Sequence, residues 1–250
     1  MSFGLKLNLR LGIESQRNVS WTPAELTGLA LWLDADDAST ITLRGGGGPG
    51  PGGSNHVVQW DDKSGNDRNA SQATATSQPT NPIDLNNRRV IQFDGSDDFF
   101  SVPEFTTSAT VFILGNRGLV TSPQLSGAAP VRGIPTWNVN GSGVYYRSSS
   151  TATILTQSGG GLTEDYAFGC VQLDTVNDEV KLNIYGKTIT TFSLTLDSSD
   201  LQINTVGRDY AGVDQFTDGA VAEIITLNNL PSTEDRQKVE GYLAWKWGGI

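Results

Sequence analysis

The apolar positions of this chain repeat with two periods. From Phe3 to Ile13 they recur at every second residue, with Phe3, Leu5, Leu7, Leu9, Leu11 and Ile13 on one side and Lys6, Asn8 and Arg10 on the other. That is the period of a half-buried strand. Polar residues run from Glu14 to Ser20 and the compact pattern begins at Trp21-Thr22-Pro23, so residues 1–20 read as an arm separable from a domain at 21–250. The arm is either an ordinary first strand of the same sheet or a strand that docks on a neighbouring subunit. From Leu29 onward, short apolar runs alternate with Gly, Asn, Asp and Pro, the punctuation of an antiparallel β protein. The runs are Leu29–Leu33, Val57–Trp60, Val90–Phe93, Phe99–Val102, Thr110–Leu114, Val144–Arg147, Tyr166–Leu173, Val180–Tyr185, Thr188–Leu196, Leu201–Val206 and Gly219–Leu227.

The second period belongs to the end of the chain. Ser232 has Asp235 three positions on, a weaker form of the capping box, and Glu234 adds a second acid to the first turn. Val239, Tyr242, Leu243 and Trp247 then share one helical side, which predicts a helix over 233–247 stopped by Gly248-Gly249. Two segments carry neither period. The run Gly45-Gly46-Gly47-Gly48-Pro49-Gly50-Pro51-Gly52-Gly53 holds neither helix nor ladder strand and reads as a surface loop, because Gly costs backbone entropy and Pro lacks the donor. Residues 69–87, rich in Ser, Thr, Gln, Asn and Pro, read as a long irregular connection over the surface.

Composition narrows the function classes. The chain has 250 residues, and 17 basic against 27 acidic side chains give a net charge of −10. This argues against a nucleic-acid or anionic-membrane partner, since phosphate recognition needs clustered positive charge. A chain of this mass buries roughly 70% of its extended surface on folding, enough for one core without staples. Asp outnumbers Glu 19 to 8, and Asp favours turns where Glu favours helices. The lone Cys170 makes no internal disulfide and reads as a buried small side chain within a strand. The N-terminus carries no apolar signal-peptide core, and no window approaches a membrane span, so Sec export and membrane insertion are not expected.

Several motifs occur in a recognisable order. They are Leu29-Ala30-Leu31-Trp32-Leu33-Asp34-Ala35-Asp36-Asp37, Val58-Gln59-Trp60-Asp61-Asp62-Lys63-Ser64-Gly65 and Ile91-Gln92-Phe93-Asp94-Gly95-Ser96-Asp97-Asp98-Phe99. Asp218-Gly219-Ala220-Val221-Ala222-Glu223-Ile224-Ile225 and Tyr242-Leu243-Ala244-Trp245-Lys246-Trp247-Gly248 complete the set. Over residues 21–250 the chain resembles the laminin-G-like, or concanavalin A-like, lectin/glucanase domains, particularly the stand-alone versions encoded among structural genes of tailed bacteriophages. The resemblance implies an all-β jelly roll of two packed antiparallel sheets with one C-terminal helix. It also implies a non-enzymatic virion structural protein, a capsid decoration, head-fibre or tail component made in the host cytoplasm. Its partners would be other virion proteins reached through residues 1–20, in a homo-oligomer. A glycan-binding lectin or adhesin is the alternative.

The residues themselves bear on chemistry as follows. Asp94-Gly95-Ser96-Asp97 reads as the turn of a hairpin. Trp32 and Trp60 lie in apolar runs and read as core. Glycanase chemistry needs two carboxylates across the scissile bond; Glu223 lacks the acidic partner two positions on that glucanase relatives carry, so it reads as a structural hydrogen-bonding or ion-pairing group and no catalytic residue is assigned. His56, the single histidine, has no nucleophile elbow to serve and reads as a surface residue. One His and one Cys exclude a zinc site. Calcium is the one cofactor the pattern admits, at Asp34/Asp36/Asp37, Asp61/Asp62/Asp67 or Asp94/Asp97/Asp98, with no EF-hand spacing and no ligand set assigned. If a sugar is bound, Trp137, Tyr145, Tyr146 and Tyr210 are the candidate stacking residues by loop context.

Overall fold

A computed structural model describes residues 21–45, 55–105, 110–116, 125–126, 133–138, 143–147, 154–156, 166–184, 187–193, 203–208 and 216–248. The proposed arm at 1–20, most of the glycine-rich loop and Tyr210 lie outside the described residues. In chain order the strands are β1 (Leu29–Asp34), β2 (Ile41–Leu43), β3 (Val57–Trp60), β4 (Ala70–Ser71), β5 (Ile91–Asp94), β6 (Phe100–Phe105), β7 (Thr110–Asn116) and β8 (Leu125–Ser126). They continue as β9 (Gly133–Asn138), β10 (Gly143–Arg147), β11 (Ile154–Thr156), β12 (Tyr166–Asp174), β13 (Glu179–Ile184), β14 (Lys187–Ser193), β15 (Ile203–Val206) and β16 (Asp218–Leu227). One α-helix, α1 (Thr233–Trp247), closes the described chain.

The strands form two antiparallel sheets. The first runs β1-β16-β7-β12-β13-β14, with β5 also paired to β16, and the second runs β11-β10-β9-β8-β15-β6-β4-β3-β2. Period 2 explains why the strands at the middle of the first sheet are apolar on both sides. Its Leu31, Leu33, Val111, Ile113, Val171, Leu173 and Ile224 face the second sheet's Val57, Trp60, Phe100, Val102, Ile203 and Val206 in one core. The alternate residues Trp32, Phe112, Leu114, Cys170, Ala222, Ile225 and Leu227 form a second core under Val239, Leu243 and Trp247 of α1. Strands β1, β7, β12 and β16 therefore serve two layers, and their sequences read as nearly continuous hydrophobic runs, whereas β13 alternates, with Val180 and Leu182 in the inner core between Glu179 and Lys181. Trp32, Trp60 and Cys170 are buried, as the sequence led us to expect.

The helix starts and stops where its caps dictate. Ser232 Oγ accepts from the Asp235 backbone N–H at 3.0 Å, and Gly248 closes the last turn in the left-handed region at φ 95°. Asn86 donates its side-chain amide to the carbonyl of Trp247, so the stop is also a tertiary contact.

Two expectations are corrected. Asp94-Gly95-Ser96-Asp97 is a turn but not a hairpin: β5 pairs with β16 in the first sheet, whereas β6 pairs with β15 and β4 in the second. Asp94 Oδ1 accepts the backbone N–H groups of Ser96, Asp97 and Asp98, and this tight Asx turn carries the chain across the sandwich. The connection at 69–87 is irregular, yet its Gln72, Ser77, Gln78 and Asn81 are buried. Their amides take the place of a ladder: Asn81 donates to the carbonyls of Ala35 and Val90, and Gln72 to that of Phe99.

Candidate functional site

Three places concentrate polar chemistry. The first lies beneath α1. Glu223 is 0% exposed, and each of its oxygens accepts two donors. Oε1 accepts from Trp32 Nε1 at 2.7 Å and Tyr242 Oη at 2.9 Å; Oε2 accepts from Trp247 Nε1 at 2.7 Å and Lys246 Nζ at 2.9 Å. Lys246 also meets Asp34 Oδ1 at 2.5 Å, and Asp34 Oδ2 meets Lys63 at 2.9 Å. Lys63 reaches on to Asp37 at 2.7 Å. Glu223 faces the helix because of a β-bulge: the register on β7 shifts between Val221 and Glu223, so Ala222 and Glu223 both turn toward α1 before Ile224 returns to the inner core.

The electrostatics follow from burial and pairing. Burial pushes the Glu223 carboxyl above its ordinary value, with Asp34 adding repulsion and Lys246 opposing both. Burial, then the negative charge of Glu223, raises the Tyr242 phenol. The hydrogen bond from Lys63, with that from Ser39, lowers Asp37 to about 2. For Lys63 itself burial works downward, but the bond to Asp37 and the charge of Asp34 outweigh it and the net shift is upward. The expected structural role of Glu223 is what the geometry gives: it ties β1, β16 and α1 together.

The second place is the acidic turns. Asp34 and Asp37 are held by lysines, and Asp36 by Arg88 at 2.5 Å. Asp62 accepts from the backbone of Trp32, Ser64 and Arg68, while Asn66 and Arg68 side chains cap carbonyls of Leu29 and Ala30. The Asp-Asp-Lys-Ser-Gly motif is thus the cover of the β1 edge, which would otherwise offer free backbone groups for pairing. The carboxylates of Asp94, Asp97 and Asp98 lie within 4.8 Å of one another and are the set among the described residues that could converge on a cation. Asp98 is 6% exposed; burial, then the charge of Asp94, raises it to about 7.

The third place is the outer face of the second sheet. Paired residues form one row across it: Thr42 with Gln59, Gln59 with Ser71, Ser71 with Ser101, and Ser101 with Thr205. The Cα register continues through Ser126 and Gly133 to Arg147. Ser71, Ser101, Pro103 and Glu104 are exposed on this face and Gln59 is half-buried. Tyr145 keeps the register of Arg147 two residues away, pairing with Thr136 and Thr156. Trp137 and Tyr146 occupy the alternate register, opposite Val144 and Leu155. Three of the four aromatic candidates therefore fall on two paired strands of this sheet. The sequence pattern missed the polar row because β4 is two residues long and β2 three. His56 is half-buried, its Nδ1 at 2.8 Å from the carbonyl of Gln78. No helix among the described residues is long and apolar enough to cross a membrane.

No family model matches the chain, and no curated protein does. Solved structures do. A Trypanosoma rangeli sialidase in complex with sialic acid matches 89% of this chain and 34% of its own, with TM-score 0.59 and 12% identity. The same sialidase solved as "Trypanosoma rangeli sialidase" gives TM-score 0.58 over 89% and 34% at 12% identity. A Ruminococcus gnavus IT-sialidase CBM40 matches 54% of this chain and 84% of its own, with TM-score 0.41 and 15% identity. The chain spans about a third of the sialidase length, and the sialidase likeness carries the lectin-like β-sandwich fold. It also corrects the expectation of a non-enzymatic protein: the solved chains that share this fold include a sialidase, an enzyme. The missing glucanase carboxylate pair speaks against that one chemistry and not against catalysis as such.

Proposed function

We propose that the chain is a carbohydrate-binding β-sandwich domain whose sugar-contacting surface is the outer face of the second sheet. The observation that carries this is the asymmetry of the sandwich. One outer face is closed by α1, while the other presents the exposed Ser71 and Ser101 and the half-buried Gln59 in register toward the strands of Tyr145 and Arg147. Short hydroxyl side chains supply hydrogen-bond partners for a sugar, and the aromatic residues that could supply a stacking surface belong to β9 and β10 of the same sheet. Sialic acid is the ligand of the sialidase that shares the fold, and it enters here as one glycan to be tried. The functional weight thus moves from the virion role implied by the sequence resemblance to glycan binding.

The test is an array of neutral and sialylated glycans probed with the full chain, with Ser101→Arg and with Tyr145→Ala. Retention of a glycan that both substitutions abolish, at unchanged melting temperature, is expected. An empty array, or wild-type retention by Ser101→Arg, overturns the reading. Release of free sugar from a retained glycan, assayed on the same samples, would add hydrolysis to binding.

A further inference from the structure

Four of the five motifs that order the sequence, far apart in the chain, meet at one point. Asp34 comes from the Leu33-Asp34 end of β1, Lys63 from the edge loop, Glu223 from the β16 bulge and Lys246 from the last turn of α1. The glycan reading uses none of them. Helix docking alone would be satisfied by apolar packing, since replacing a buried ion pair by hydrophobic residues is often neutral or stabilising.

We propose that Lys246 and Asp34 form an intramolecular isopeptide bond, made by the protein itself with Glu223 as proton carrier and Lys63 as the group that stabilises the oxyanion. Lys246 Nζ stands 2.5 Å from Asp34 Oδ1 and 2.9 Å from Glu223 Oε2, so nucleophile, acyl group and base are already in contact. Lys63 Nζ holds the other oxygen, Oδ2, at 2.9 Å. The reacting groups are closed off from water: Asp34 is 4% exposed, Glu223 fully buried and the Lys246 side chain 10% exposed.

The step balances without any further reactant. The Lys246 ammonium passes a proton to Glu223, and the freed lone pair attacks Cγ of Asp34. Negative charge builds on Oδ2 against the Lys63 ammonium, in the manner of a fixed oxyanion site. Glu223 hands its proton to Oδ1, the new amide nitrogen sheds a second proton to the same oxygen, and Oδ1 leaves as water. A carboxylate and an ammonium thus become one amide and one water, and Glu223 returns to its starting state. Burial and the neighbouring Asp34 charge hold the Glu223 carboxyl above its usual range, which suits it to accept that proton. Fixed contact supplies the proximity that such condensations need, with effective molarities of about 10⁵–10⁸ M for well-oriented groups. Exclusion of water removes the competing hydrolysis. Lys63 is the poorer nucleophile here: it is shared between two carboxylates, and its second partner, Asp37, is 31% exposed.

The experiment is the intact mass of the full chain under denaturing conditions, followed by a peptide map. The expected mass is that of the sequence less one water, with a branched peptide joining the Asp34 and Lys246 segments. Lys246→Arg and Glu223→Gln are expected to show the full mass. A wild-type chain at full mass, a water loss mapped elsewhere, or a water loss that persists in Lys246→Arg would each overturn the proposal. The wild-type measurement decides even where a variant does not fold.

Discussion

The two outer faces of the sandwich are built from the same kind of strand and meet opposite fates. On the first sheet the outward residues are Trp32, Phe112, Leu114, Cys170, Ile225 and Leu227, and α1 covers them. On the second sheet the outward residues at paired positions are Gln59, Ser71 and Ser101, and among the described residues no helix covers them. The difference separates two uses of polarity. Under the helix the buried carboxylates are paired, Glu223 with four donors and Glu240 with Arg236, where an unpaired group would be costly. On the other face Ser71 and Ser101 are exposed, and Gln59 is half-buried with its amide donating to Asp61. The same contrast holds within α1: Trp247 is fully buried with its N–H on Glu223, while Trp245, two residues away, is 80% exposed.

The comparison is broken most forcefully at its closed side. Glu223→Ala leaves the indole N–H groups of Trp32 and Trp247 and the Tyr242 hydroxyl without the acceptor they share and removes one of the two carboxylates on Lys246, and the expected loss is about 3–5 kcal/mol. Urea unfolding would read this, as would a drop in melting temperature of roughly 10 °C. A loss below 1 kcal/mol, on the order of an average surface substitution, would show that the carboxylate does not hold the helix. Next in size is the pair on α1. Trp247→Ala is expected to cost about 3–5 kcal/mol as a cavity-forming core change, and Trp245→Ala only about 0.5 kcal/mol. Equal costs would mean that Trp245 is covered in solution.

A smaller effect follows pH. Asp98 has its folded value raised to about 7 from the ordinary 3.8, so its contribution to stability is full below pH 3.8 and is lost as pH rises toward 7. Asp37, lowered to about 2, acts in the opposite sense: its contribution is present above pH 3.8 and is lost as pH falls toward 2. Melting temperature should therefore rise from pH 2 to 4 and fall from pH 4 to 7 through these two groups, and Asp98→Asn should flatten the upper limb alone. An unchanged upper limb in that variant would refute the assignment. The smallest effect belongs to the open face, where Ser71→Ala and Ser101→Ala should move stability by no more than about 0.5 kcal/mol. A larger loss in differential scanning calorimetry would mean that something packs on this face and would weaken its reading as a binding surface.

Much of the fold was legible where local pattern and packing agree. Apolar runs located β3 and, within a few residues, most of the other long strands, though not β9, and the caps at Ser232 and Gly248 bounded α1. The Asp94–Asp97 turn was legible as a turn, but its destination was not, because the same Asx geometry serves a hairpin or a crossing between sheets. Gln78 and Asn81 are buried although their segment reads as surface, since polarity alone does not tell an exposed amide from one that replaces a ladder hydrogen bond. Of the candidate surface, the aromatics could be nominated by residue type, but the row formed by Gln59, Ser71 and Ser101 could not, since its members come from three strands with no shared local pattern.

By itself the sequence determined the class of fold, the extent of the helix and the burial of Trp32, Trp60 and Cys170, because these follow from periodicity and caps acting over a few neighbouring residues. Only the tertiary structure decided which side Glu223 faces, that Lys246 bridges it to Asp34 and Lys63, and which face of the sandwich α1 covers. Those outcomes depend on a one-residue register shift and on contacts between segments up to 212 positions apart, counting from Asp34 to Lys246 (246 − 34). A side-chain alternation of period 2 is reversed by a single bulge, so local pattern cannot carry that information across the chain.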